Sequence, residues 1–359
     1  MSVCCMPSAE ACSVPVFRWA LERWPADDYE LIVFRDAPLP MADAATLQGL
    51  AQRARDEAAN LRVRDIDVTQ SIDEAYATLW TQAQGGALPA CFLLYPQGVR
   101  APAPAWSGVW NDLPAASLLD SPARRELARR LLDGQSGVWL LLLSGDPAQD
   151  EAAGRLLSDQ IDQANKTLAL PDMAGDEVLE GPDAPDISNL RVEFSLLPVR
   201  RDDPAERALV SMLLGTEPDL SGYQEVMAFP VYGRGRVLYV LVGRGINPIT
   251  ARKAHTFLVG PCACEIKAEN PGTDLLLPVD WEAAIGDSMI SDAVDLPPLP
   301  GTALPEQILS CAIREREPGT DGRDAAPPLL RNAALVVVAA ALLVAAATLV
   351  SLARRTDNK

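Results

Sequence analysis

In Leu88-Pro89-Ala90-Cys91-Phe92-Leu93-Leu94-Tyr95, Leu88-Pro89 introduces the apolar run Ala90 to Tyr95, which reads as a central strand of the first half. From Ala90 onward there is no polar alternation, the pattern of a centrally placed strand covered on both faces. Working outward, Ser71 and Glu74 form a capping box for a helix whose inner face is Ile72, Ala75, Tyr76, Leu79 and Ala83. Before it lie a strand, 61–68, and a helix capped by Asp43 that carries Leu47, Leu50, Ala51, Ala54 and Ala58 at helical spacing. The run Glu30-Leu31-Ile32-Val33-Phe34 supplies the first strand, and Phe17, Ala20, Leu21 and Trp24 mark a short amphipathic helix ahead of it. Downstream, a Pro-rich hairpin reaches Trp106, and Ser121-Pro122 opens a helix with Leu127, Leu131 and Leu132 inside.

The order is β, α, β, α, β, β, α, and the second half repeats it without obvious residue identity. Val138 to Leu143 is a buried strand, and Asp146-Pro147 opens a long helix bearing Ala153, Leu156, Leu157, Ile161, Ala164 and Leu168. The alternation of Val192, Phe194 and Leu196 predicts a strand, and Asp203-Pro204 a helix start. A hairpin of 226–232 and 237–242 turns at Gly233-Arg234-Gly235, and Asn247-Pro248 begins the last helix.

The run 333–352, AALVVVAAALLVAAATLVSL, carries no charge and suits a hydrocarbon core of roughly 30 Å. It is read as a membrane anchor from Ala333 to Leu352. Basic residues flank it on both sides. They crowd closer on the C-terminal side, at Arg354 and Arg355, which favours a cytoplasmic tail and an extracytoplasmic folded part. A tail-anchored protein with cytosolic domains is the alternative. The expected division is an N-terminal segment with its helix (1–28), two similar domains (29–134 and 135–285), a Pro-rich stalk (286–328), the spanning helix (329–354) and a short tail (355–359). The chain has 49 acidic and 31 basic side chains, a net charge of −18, which repels phosphate backbones and argues against a nucleic-acid partner.

The βαβαββα order resembles the thioredoxin fold, and Leu88-Pro89-Ala90 ahead of a buried strand looks like the cis-proline that thioredoxin-like proteins place beside their active cysteines. An ordinary trans proline at a strand start is the competing reading. The resemblance implies an α/β protein of two tandem thioredoxin-like domains followed by one transmembrane helix. It departs from the family at the turn after the first strand, Arg35-Asp36-Ala37-Pro38-Leu39-Pro40, which has no CxxC and no cysteine. The phrases CSVPVFRWALERW and GPCACEIKAENPGTDLL are also similar to uncharacterised single-pass bacterial membrane proteins.

Seven cysteines are scattered along the chain. Cys12, just before the first helix, is a candidate thiol because a helix N-terminus stabilises a thiolate; a structural role is the bland alternative. Cys262 and Cys264 are one residue apart. They admit a disulfide to Cys12 that pins the N-terminal helix to the second domain, or a soft-metal pair with His255 as a third ligand, the weaker reading. Cys91 in its apolar strand is expected to be inert packing. Gly233-Arg234-Gly235-Arg236 lacks a following helix, so it reads as a hairpin and not a phosphate loop, and Ser144-Gly145-Asp146 lacks the nucleophile-elbow pattern. Asp65 and Asp67, at period two, are expected to face solvent. No cofactor is expected. The expected function is a redox-inactive, membrane-anchored binding protein with a membrane-protein partner; the alternative is a tethered thiol-disulfide oxidoreductase using Cys12 with Cys262 and Cys264.

Overall fold

The computed structural model describes residues 14–99, 101, 103–171, 190–262 and 266–286, and these form a mixed α/β body built on two sheets. The stalk and the span Ala333 to Leu352 lie outside the described residues. No helix among the described residues is long and apolar enough to cross a membrane.

The first half runs α1 (Val16–Arg23), β1 (Tyr29–Arg35), α2 (Met41–Asp56), β2 (Leu61–Asp67), α3 (Glu74–Ala83), β3 (Ala90–Leu94), β4 (Trp106–Val109), α4 (Ala115–Leu118) and α5 (Pro122–Leu132). Its sheet has the order β2-β1-β3-β4, with β2 parallel to β1 and β3 antiparallel to both its neighbours. The second half runs β5 (Gly137–Leu143), α6 (Pro147–Thr167), β6 (Phe194–Arg200), α7 (Arg207–Leu214), β7 (Met227–Tyr232), β8 (Arg236–Val237), β9 (Leu241–Val242), α8 (Pro248–Val259), β10 (Thr273–Asp274) and α9 (Trp281–Ile285). Here the order is β6-β5-β7-β8, again with the second strand parallel to the first and the third reversed. Both halves therefore trace the same path. The second adds β10 beyond β8, and its hairpin return is split, with β8 and β9 both pairing to β7.

Strand alternation sorts the core into layers. Tyr29, Leu31 and Val33 of β1 and Val138, Leu140 and Leu142 of β5 enter one continuous cluster, joined by Leu47 and Leu50 of α2, Leu127 and Leu131 of α5, and Leu209 and Leu213 of α7. The intervening residues point outward from that shared layer. Ile32 and Phe34 meet α3, where Trp80 lies against Phe34 with ring centroids 5.3 Å apart. Trp139 and Leu141 meet α1, α6 and α8.

The N-terminal helix belongs to the second half. Pro15 bridges Pro261, the Val16 amide donates to the Gly260 carbonyl at 3.0 Å, and the Cys262 amide donates to the Val14 carbonyl at 3.0 Å. Gly233 takes φ +56°, and a Cβ there would stand 2.8 Å from Ala20 Cβ, so the β7–β8 turn needs glycine to let α1 seat. The segment 274–277 then seals the two halves together. Tyr29 Oη donates to the Asp274 carbonyl (2.9 Å), Asn60 Nδ2 donates to the Leu275 carbonyl (3.2 Å), and Asn60 Oδ1 accepts from the Leu277 amide (3.0 Å). The fully buried Arg124 donates to the carbonyls of Leu118 (2.9 Å) and Leu276 (3.2 Å). Buried polar backbone is thus satisfied across the seam, as burial requires.

Several local expectations are corrected. Helix α2 starts at Met41, so Asp43 lies in its first turn and is not its cap. Helix α3 is capped by Asp73, which accepts from the Ala75 amide at 3.0 Å, in place of the Ser71/Glu74 box, and Ala75 is exposed. Leu132 is 39% exposed, because its α-helical phase takes it off the face shared by Leu127 and Leu131. The helix after Asp203 begins as one 3-10 turn, Pro204–Glu206, before α7.

Candidate functional site

The C-terminal end of β1 is built from the turn 36–40 and the first residue of α2. Continuing the register from Phe34 opposite Ala90 places Pro89 opposite Arg35, and the Leu88–Pro89 peptide is cis. Arg35 is held in place by carboxylates of the neighbouring strand: Nε donates to Asp65 at 2.7 Å and Nη1 to Asp67 at 3.3 Å. The Thr69 hydroxyl and amide, then Arg35, hold the Asp67 carboxyl below its ordinary value. Around this paired charge, Asp36, Ala37, Pro38, Pro40 and Ala87 are exposed, and Met41 is 89% exposed. An exposed methionine on a proline-bordered turn offers a soft apolar contact with little conformational freedom to lose in the backbone. Cys91, two residues after Pro89, is fully buried in the shared core, where desolvation pushes it up to about 12, so it presents no thiolate at neutral pH.

The equivalent end of β5 is differently occupied. Asp146 caps α6 by accepting from the amides of Ala148 (2.9 Å) and Gln149 (3.3 Å). Asp150 accepts from the Ser144 amide (2.7 Å), the Ser144 hydroxyl (2.8 Å) and the Gly145 amide (3.1 Å). The helix N-terminus and the serine are therefore satisfied by the chain's own carboxylates. Arg201, beside this turn, donates to the carbonyls of Tyr223 and Glu225 at 3.2 Å each, and burial holds its guanidinium below the ordinary value.

Cys262 is 2% exposed and its backbone is locked to Val14, while Cys12 and Cys264 lie outside the described residues. Any bridge or paired chemistry among these thiols lies outside them too. His255, the third residue of the soft-metal alternative, is buried in the second half. Its Nε2 accepts from Trp139 Nε1 at 2.9 Å, and its ring packs 4.4 Å from that of Phe194. Burial lowers it to about 4, so it stays neutral as the acceptor. Among the described residues no three His, Cys, Asp or Glu side chains gather to hold a metal.

One feature carried no sequence motif. A groove of about 870 Å³ opens between the N-terminal half of α6, the segment 217–226 and the segment 240–246. Its floor is apolar, with Ala153, Leu220, Val226 and Ile246 buried, and Glu217, Asp219 and Glu225 stand exposed on its rim. Three separate chain segments assemble it, so only the tertiary path reveals it. Compared with known proteins, the chain matches no family model and no curated sequence.

Proposed function

We propose that this protein is a membrane-anchored, redox-inactive thioredoxin-like binding protein of two tandem domains, whose first domain engages a membrane-protein partner at the turn after β1. The anchor in this reading is the helix Ala333 to Leu352, with the folded part extracytoplasmic. The observation that carries the reading is the end of β1: Pro89 stands opposite Arg35, at the turn where thioredoxin-like proteins hold their cysteines, and that turn is Arg35-Asp36-Ala37-Pro38-Leu39-Pro40. Position without nucleophile favours recognition over turnover. The repeated strand path in the two halves supports the tandem reading.

Co-purification of the full-length chain in mild detergent is the test. The expected result is a discrete partner at defined stoichiometry, lost in Met41→Asp and retained in Leu132→Asp, which alters an exposed position on α5. Disulfide reductase activity that vanishes in Cys12→Ser, or no partner at any stoichiometry, would overturn the reading.

A further inference from the structure

The outward face of α8 carries a second unusual surface. Ile249, Arg252, Lys253, Thr256 and Phe257 follow helical spacing on one side of the helix, opposite the buried Ala251, Ala254, His255 and Leu258. Ile249 is 69% exposed, and Arg252 and Lys253 are exposed without an ion pair among the described residues. On a chain of net charge −18, an apolar and basic stripe of this kind stands out. The groove beside it has the reciprocal character. It is apolar within, and its rim carries Glu217, Asp219 and Glu225 against one cation, Arg244, with Tyr223 41% exposed.

We propose that two copies of this chain pair through their second halves, with the α8 stripe of one copy seated in the groove of the other. Ile249 and Phe257 meet the apolar floor, and Arg252 and Lys253 meet Glu217, Asp219 and Glu225. Ile246 on the groove wall and Ile249 on the stripe are only three residues apart. Reciprocal seating, stripe to groove and groove to stripe, is the self-complementary contact of an isologous dimer. Net repulsion between copies is screened beyond about 8 Å at physiological ionic strength, so the local complementarity of the contacting patches decides the encounter. An anionic lipid surface is the less favoured occupant of the stripe, since its two cations stand against a net charge of −18 on the whole chain.

Sedimentation velocity of the full-length chain in mild detergent at roughly 10 μM tests this. The expected result is a dimer for the unmodified chain and monomers for Arg252→Glu/Lys253→Glu and for Glu217→Lys/Asp219→Lys. Mixing the two variants restores the dimer, because reversed stripes meet reversed grooves. Ile249→Asp, an exposed single change, also gives a monomer with an unchanged circular dichroism spectrum. An unmodified chain that stays monomeric, a dimer indifferent to the reversals, or a mixture that fails to pair would overturn the proposal. So would binding to phosphatidylserine vesicles that Arg252→Glu/Lys253→Glu abolishes in a chain that never dimerises.

Discussion

The two halves share a strand path and differ in how thoroughly they are covered. Every residue of β7 is buried, as are all of β5 except Leu143, and the outer face of that sheet is closed by α1, α6 and α8. In the first half the outer face of the sheet is covered by α3, whose Tyr76, Leu79 and Trp80 are only partly buried, and β2 presents Arg62, Arg64 and Asp65 to solvent. The same strand path thus yields one well-buried half and one more open half. One of the three helices closing that outer face, α1, comes from the start of the chain.

The largest effect that would break or sharpen this contrast comes from its two tryptophans. Trp139 is fully buried, and Trp139→Ala is expected to cost ~4 kcal/mol in denaturant unfolding, from lost burial and the cavity left behind. Trp80→Ala, half-buried on the open side, should cost less than half of that, and equal losses would erase the distinction.

Acid should act next, and through the second half. His255 sits at about 4 in the folded protein against an ordinary 6.5, so the unfolded chain takes up the proton first. Its contribution is complete above about pH 6.5 and falls away as pH drops toward 4, by up to ~3 kcal/mol. Protonation also removes the lone pair that Trp139 Nε1 donates to. Urea titrations across this range should show the slope, and His255→Gln should flatten it.

Asn60→Ala addresses the seam between the halves. It strands the Leu277 amide and removes donors to the carbonyls of Asp27 and Leu275, at an expected ~2 kcal/mol. Hydrogen exchange should then show the first half opening ahead of the second. The smallest effect is Gly233→Ala, ~1 kcal/mol from the left-handed backbone and the approach of Ala20, read as a lowered Tm and loosened α1 amides.

What the sequence made legible is mostly local. Ser121, Asp146 and Asn247 cap their helices as their positions predict, because a cap is decided by two or three neighbouring residues. The buried strands at 90–94 and 137–143 declare themselves by unbroken apolar runs. The seating of α1 depends on pairing Pro15 with Pro261, and the return strand after Gly235 divides because β8 and β9 meet different stretches of β7; neither has a local signature. His255 illustrates the same limit for sites. A lone histidine near two cysteines in sequence suggests a ligand, and the Trp139 indole from which it accepts is a partner that only the fold brings to it. The groove likewise joins segments with no shared motif.

The central claim is that the turn after β1 recognises a partner and performs no thiol chemistry. A photo-crosslinking amino acid at Met41 of the full-length chain in its native membrane tests it most directly, with the same probe at Leu132 as the control. One discrete membrane-protein adduct is expected from position 41 and none from 132; adducts that are absent or identical at both positions would refute partner recognition by this turn.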